Sequence, residues 1–402
     1  MRRHQSVLFG LWFSLLPGVA AAQANWDQQA MPLANLGRFS PAAIDGVAVR
    51  LTGGPPERAG RWQLPPFAGG LREWETKQLH GSVDADFRWH GVALGEPDAQ
   101  AVIVRRGRAL SGMISTPEGV FELIPAADGN YLVKLDSSRF PACAGGVEAE
   151  SGGEAASNTS APVPEGSTVI IDVLVVYTPE ARDGAGGVNQ IEAVAQAAVD
   201  NANLSFSNAQ STPRLRLVDA RLANYNDTGV SSNDLSWVRN DPEVAAWRNE
   251  VGADMVGLIT NDLDACGRGY VMRNPGPGFA GSAFQVTARG CAVGNLSYAH
   301  EHGHNMGMEH DPANGTSPGS ASYPFAFGHF VSGSYRTVMS YSSECTGGCT
   351  RRPYFSNPEV IFMGVPTGIA DERNNAQTGI NVAAIVAAFR PDAGLLFDDG
   401  FE

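Results

Sequence analysis

Lysine is nearly absent. Lys77 and Lys134 are the only two in 402 residues, so arginine carries almost all of the positive charge. Positive charge is itself short: 28 basic against 42 acidic side chains give a formal charge of −14. That balance speaks against a sequence-independent nucleic-acid binder, which needs a basic surplus to displace counterions. No apolar run reaches the ~20 residues that cross a bilayer, so no membrane-spanning segment is expected. Cysteine is sparse and odd in number, at five, and no internal repeat is visible. A 43% hydrophobic share nevertheless supports a packed core and argues against wholesale disorder.

The N-terminus reads as an export signal over residues 1–24. Arg2 and Arg3 open it, Val7 to Leu16 forms a short apolar run, and Ala22-Gln23-Ala24 is a small-x-small cleavage site. The mature protein is therefore expected outside the cytoplasm, secreted or periplasmic. Disulfides are allowed there. Cys266, Cys291, Cys345 and Cys349 can pair in three ways. Local pairing, Cys266 with Cys291 and Cys345 with Cys349, is expected because short loops close at low entropic cost. Cys143 is left alone.

The rest divides by composition. Residues 25–143 read as a small β-rich unit, with short strands at Ala101–Val104, Val120–Ile124 and Tyr131–Leu135 and turn signals at Arg106-Gly107 and Asp128-Gly129. Residues 144–168 have a linker composition of Gly, Ala, Ser, Glu and Pro. Residues 169–391 alternate strand and helix patterns, which predicts an α/β unit. Val169 to Tyr177 reads as a strand buried on both faces. Thr178 to Gly187 reads as a turn, Val188 to Asn208 as a helix, and a single helix is expected between Asn233 and Glu250. Ser282 to Ala288 alternates like an edge strand, and Asn295 to Met306 reads as a helix. Residues 392–402 form a short acidic tail.

Four of the eight histidines fall between positions 300 and 310. His300 and His304 are four apart, so on a helix they lie roughly 40° apart on one face and can share a metal ion. Gly307 can take the left-handed conformation that stops a helix, and the turn can return His310 as a third ligand. Three neutral histidines leave a fourth tetrahedral position to water, the arrangement of a catalytic rather than a structural zinc (Zn2+) site. Glu301 is then the general base and acid that manages the proton of that water. His302 points elsewhere, and Glu309 reads as facing solvent.

The pattern His300-Glu301-x-x-His304-x-x-Gly307-x-x-His310 resembles that of the metzincin zinc endopeptidases. Thr337-Val338-Met339-Ser340-Tyr341 is similar to the methionine turn of that superfamily, and the resemblance makes Met339 the apolar floor of the site. His310-Asp311 resembles the reprolysin and snapalysin branches. Tyr341 resembles the tyrosine of astacins and serralysins, which implies a donor to the oxyanion. With Ile171-Asp-Val-Leu-Val-Val-Tyr-Thr-Pro179 and Tyr354-Phe-Ser-Asn-Pro358, the chain is most similar to bacterial peptidyl-Asp metallopeptidases. The resemblance covers about residues 169–391. It implies a metzincin-like catalytic domain, a twisted mixed sheet with an active-site helix and methionine turn. Asp311 fits a supporting role, orienting a histidine or tying down a chain segment.

The expected function is a secreted zinc endopeptidase made as a zymogen. The β-rich unit then reads as a propeptide, and Cys143 as a candidate latch whose thiolate takes the metal position needed by water. Partners are polypeptide substrates and the protein's own propeptide, with no nucleic acid and no membrane, and the chain is expected to be a monomer. Substrates would pair with an edge strand, for which Ser282–Ala288 is the candidate. A preference for acidic side chains, as the resemblance implies, needs a cation. Arg351 and Arg352 are the candidates, although each alone reads as a solvated surface residue. Calcium is left open as a second metal, with no pattern that reads for it. Two other classes share the motif. One is a catalytically inactive secreted binding or adhesion protein on a zinc fold, against which the intact Glu301 argues; the other is a non-peptidase zinc hydrolase.

Overall fold

Alternating and continuous apolar runs build two sheets. The structure is a computed structural model that describes residues 25–55, 60–82, 85–148 and 166–391. The expected export signal, most of the expected linker and the acidic tail lie outside the described residues. Upstream, nine strands pair in one antiparallel sheet: β1 (Trp26–Ala30), β2 (Ala43–Leu51), β3 (Arg61–Gln63), β4 (Glu73–Gly81), β5 (Phe87–Ala93), β6 (Glu96–Arg106), β7 (Ala109–Thr116), β8 (Gly119–Ala126) and β9 (Gly129–Leu135). Their order is β1-β2-β9-β8-β7-β6-β5-β4-β3.

Period-2 alternation gives this sheet two buried faces. Ile103, Leu110, Ile114, Phe121 and Leu123 join Trp62, Trp74 and Trp89 in a core of their own. Val104, Met113, Val120 and Ile124 face the other way, into the core of the downstream unit. The two units thus share one apolar interior. At their seam, Arg88 Nε donates to Asp200 Oδ2 at 2.9 Å.

The downstream sheet has the order β10-β14-β15-β13-β11-β12. Its strands are β10 (Gly146–Glu148), β11 (Val169–Tyr177), β12 (Pro213–Leu222), β13 (Met255–Thr260), β14 (Gly267–Val271) and β15 (Phe284–Ala288). Around them lie α1 (Pro179–Ala185), α2 (Val188–Asn208), α3 (Ser231–Asn240), α4 (Pro242–Glu250), α5 (Arg289–Ala292), α6 (Ser297–Asn305) and α7 (Asn375–Val386). Parallel pairing runs from β12 through β11 and β13 to β15, and β14 is antiparallel to β15.

Four expectations need correction. The segment read as a turn at Thr178–Gly187 contains α1, because the Thr178 side chain accepts the Ala181 N–H at 3.1 Å and Pro179 suits the first helical turn. The single helix over 233–250 is two, broken where Pro242 forces Asp241 into an extended conformation; Asp241 then caps the second helix. Ser282–Ala288 is not an edge strand: its ordered part, β15, is interior, between β13 and β14. Residues 146–148, inside the stretch with linker composition, form β10 and pair in parallel with β14.

Candidate metal centre and active site

Helix α6 sits against the sheet, held by Asn305, whose Nδ2 donates to Tyr270 O at 2.8 Å and Phe284 O at 3.0 Å. His300 and His304 lie one turn apart on it, both fully buried. The helix stops at Gly307, with φ +76°. A side chain there would meet Met272 O at 2.9 Å, so both conformation and space call for glycine. The chain then turns back and delivers His310.

Backbone carbonyls set the tautomer of each imidazole. His300 Nδ1 lies 2.9 Å from Val338 O, His304 Nδ1 2.8 Å from Met308 O, and His310 Nδ1 3.3 Å from Asn314 O. A carbonyl can only accept, so Nδ1 carries the proton and Nε2 is left with a bare lone pair. Burial favours the neutral form and pushes His300 and His310 well below the ordinary imidazole range. His310 Nε2 is 3.1 Å from His300 Nε2 and 3.0 Å from His304 Nε2. With no proton between them these contacts are repulsive, and a cation among the lone pairs resolves them. A tetrahedral ion with bonds of about 2.0–2.1 Å spaces its ligands by about 3.3 Å, so the three histidines fit one metal ion.

Glu301 is fully buried beside this triad, and its carboxylate faces the thiol of Cys143. Burial pushes its pKa up to about 8. Room for it comes from β14, where a side chain at Gly267 would meet Glu301 Cγ at 2.7 Å and one at Gly269 would meet Glu301 O at 2.9 Å. Sequence reasoning passed over both glycines. Their alternation in Cys266-Gly-Arg-Gly-Tyr270 is the only signal, and its meaning depends on what packs opposite. Gly303 was passed over in the same way: a side chain on it would strike Met339 Sδ at 2.6 Å, so Met339 lies directly under α6.

Asp311 joins the third histidine to the segment carrying Met339. Its Oδ2 accepts the Tyr341 N–H at 2.9 Å and Ser340 Oγ at 3.1 Å, and its Oδ1 accepts Asn314 Nδ2 at 2.8 Å. The Tyr341 ring lies 4.2 Å from the His310 ring, and its hydroxyl donates to Cys143 O at 2.8 Å. Cys143 is buried here. Its Sγ and ligand atoms of His300 and Glu301 lie within 4.8 Å of one another. Burial and Glu301 raise the thiol pKa.

Other candidate residues divide. Disulfides join Cys266 to Cys291 and Cys345 to Cys349. His302 is a core residue, its Nδ1 3.2 Å from Asn305 Oδ1. Glu309 is not at the surface: it is buried and accepts from Arg273 Nε at 2.7 Å. Arg351 and Arg352 are not a solvated pair either, at 3% and 4% exposure. Arg352 turns toward the upstream sheet, donating to Ser115 Oγ at 3.0 Å and Thr116 O at 2.7 Å.

A chain that aims three unprotonated imidazole nitrogens at one point is built as a metalloenzyme. Residues 167–356 match metallo-peptidase family M12 of the reprolysin type. The chain is 31% identical over 310 residues to a peptidyl-Asp metalloendopeptidase of Stenotrophomonas maltophilia, covering 73% of this chain and 72% of that one. It is 32% identical over 308 residues to one of Xanthomonas campestris pv. campestris, covering 73% and 71%. The chain belongs to the M12 metallopeptidases and is a metalloendopeptidase. Because 73% of the chain exceeds the stretch from residue 167 onward, the likeness extends into the upstream unit. Among solved structures, metalloproteinase-II from Bacteroides fragilis superposes with a TM-score of 0.36 at 8% identity, over 63% of this chain and 82% of that one. Among the described residues no helix is long and apolar enough to cross a membrane.

Proposed function

We propose that the protein is an exported zinc endopeptidase of metzincin architecture, made as a zymogen and acting on polypeptides at acidic residues. The observation that carries this reading is the convergence of three bare Nε2 atoms beside the buried carboxylate of Glu301. His300, His304 and His310 would hold the ion, over Met339. When bound, zinc supplies a Lewis acid that polarises a peptide carbonyl and makes water more acidic. Glu301 takes the proton of the attacking water on a carboxylate oxygen and passes it to the leaving nitrogen. The Tyr341 hydroxyl donates to the oxyanion as it forms. Asp311 keeps Tyr341 and His310 in mutual register. Substrate backbone would lie along the outer side of β14, which β10 and the segment around Cys143 occupy in this chain. Acidic specificity is proposed from the likeness to peptidyl-Asp metalloendopeptidases.

In the zymogen, residues 25–143 act as the propeptide. Ala144 N–H donates to Gly267 O at 2.9 Å and Cys266 N–H donates to Ala142 O at 3.2 Å, so the segment around Cys143 lies where a substrate strand would pair. Its thiol would take the position required by water. No basic residue occurs between Arg139 and Arg182, so the stretch beyond β10 offers no trypsin-type site, and the proposed activation is self-cleavage or cutting by a protease that accepts small or acidic residues. The deciding experiment is digestion of a peptide library by the matured protein, with new termini read by mass spectrometry. Cleavage abolished by a chelator and restored by zinc is expected; cleavage indifferent to both would sink the proposal.

A further inference from the structure

Two short strands after the histidine segment hold an unusual arrangement of charge. Beyond β16 (Phe330–Val331), β17 (Tyr335–Arg336) and β18 (Thr350–Arg351) pair in parallel, with Arg336 directly opposite Arg351. Register partners point to the same face of a sheet. Both arginines are 3% exposed. Arg336 Nη1 donates to Ser340 O at 2.6 Å, and Arg351 donates to the same carbonyl at 3.4 Å and to Asn295 O at 2.9 Å. The Nε of each is buried without a partner. Among the described residues neither enters an ion pair with a carboxylate. Asp311 acts on Arg336, but its oxygens are already engaged by Tyr341, Ser340 and Asn314.

Two like charges buried side by side are strongly unfavourable unless an anion joins them. Other arginines in the fold show how the sequence normally avoids this. Arg248 spends its donors on the carbonyls of Ala253, Ala280 and Asp254. Arg273 faces Glu309 and Glu148. The Arg336–Arg351 pair reaches the carbonyls of Ser340 and Asn295 but leaves the Nε of each unmet and faces no carboxylate of its own, and it adjoins the reacting groups. Ser340, which both arginines touch, lies between Met339 and Tyr341, and Asn295 lies just before α6. Arg351 is close enough to Glu301, Tyr341 and Cys143 to favour the charged form of all three.

We infer that Arg336 and Arg351 together read the acidic side chain of the substrate, taking its carboxylate between their guanidinium groups next to the scissile bond. The assignment rests on the endopeptidase reading above and replaces Arg352 by Arg336 as the partner of Arg351. Planar guanidinium forks suit a carboxylate, and a buried donor pair rejects an uncharged isostere because its charge is then left unmet.

The test uses matured enzyme and two peptides that differ only by Asp or Asn at the cleaved position. The wild type should prefer Asp. Arg351→Gln and Arg336→Gln should each lower kcat/KM for the Asp peptide by about 10²-fold more than for the Asn peptide, with the melting temperature of each variant certifying the fold. Arg351→Lys, which keeps the charge, should restore part of the preference, and Arg352→Gln should leave it intact. A wild-type preference that survives both Gln variants overturns the assignment alone. A wild type that cleaves both peptides equally overturns the acidic-substrate reading and the assignment with it. Should the variants fail to fold, a crystal of the wild-type enzyme with an Asp-bearing peptide hydroxamate decides: a carboxylate bonded to both guanidiniums upholds the assignment, and one bound elsewhere overturns it.

Discussion

The hydroxyl of Tyr341 donates to the carbonyl oxygen of Cys143 at 2.8 Å, across 198 positions of sequence. The group proposed to serve the oxyanion is thus occupied by the segment proposed to block the cleft. Cys143→Ala, or alkylation of the thiol, is expected to raise the activity of the unprocessed chain. A latch worth only about 1.4 kcal/mol changes the open fraction tenfold. Peptide hydrolysis by zymogen whose maturation is prevented checks this, and unchanged activity rules the latch out.

Tyr341→Phe separates the two roles. If the hydroxyl serves the oxyanion, the matured variant should lose about 10²-fold in kcat with little change in KM. Steady-state kinetics on one peptide give the answer; an unchanged kcat would leave Tyr341 as part of the latch only.

Gly267 faces Glu301, and Gly267→Ala would bring a methyl group within 2.7 Å of its carboxylate oxygen. The obstacle is a side chain rather than backbone, so Glu301 should shift while the fold holds. We expect kcat to fall by about tenfold or more with a Tm change of only a few degrees, since small misplacement of a catalytic group is costly. Full activity would show that the carboxylate tolerates displacement.

The histidine pattern was legible because it is local: two residues a helical turn apart, a glycine that can adopt positive φ, and a third histidine within reach of the turn. Long apolar strands such as Val169–Tyr177 were legible for the same reason. The misreadings concern groups whose surroundings come from far along the chain. Glu309 looked solvated because Arg273, its ion-pair partner, is 36 positions away. Arg351 looked solvated because the Arg336, Ser340 and Asn295 that enclose it are assembled only by tertiary structure. Strand β14 escaped notice because five residues with two glycines carry no periodic signal, yet it packs against Glu301. Within the unit read as β-rich, the individual strands between Trp26 and Gly81 carry no clear alternation, because proline and glycine interrupt it.

Metal removal should leave a folded but weaker protein. The carbonyls of Val338, Met308 and Asn314 hold the imidazoles in place without an ion, so the site is preformed, but three lone pairs then face one another. An ion present at about 100 times its Kd contributes about 2.7 kcal/mol, which in a domain of this size shifts Tm by about 5–10 °C. Differential scanning calorimetry with and without chelator measures the shift. Identical melting curves would show that no metal binds the native state.

The seam between the two units should weaken as pH rises. Glu122 of β8 is buried against Gly294, whose backbone N–H bonds one carboxyl oxygen while Oε2 has no partner. Burial pushes its pKa from 4.5 up to about 8, with Arg289 offsetting this only in part. A raised carboxyl pKa means that the docked state binds the extra proton. Its contribution is fully present below about 4.5, declines as pH climbs, and is exhausted once pH passes about 8. The span amounts to a few kcal/mol, at about 1.4 kcal/mol per pH unit. Melting of the full chain between pH 5 and pH 8 should therefore show stability falling with pH, and Glu122→Gln, which cannot ionise, should flatten that slope. The same slope in wild type and variant would place the titrating group elsewhere.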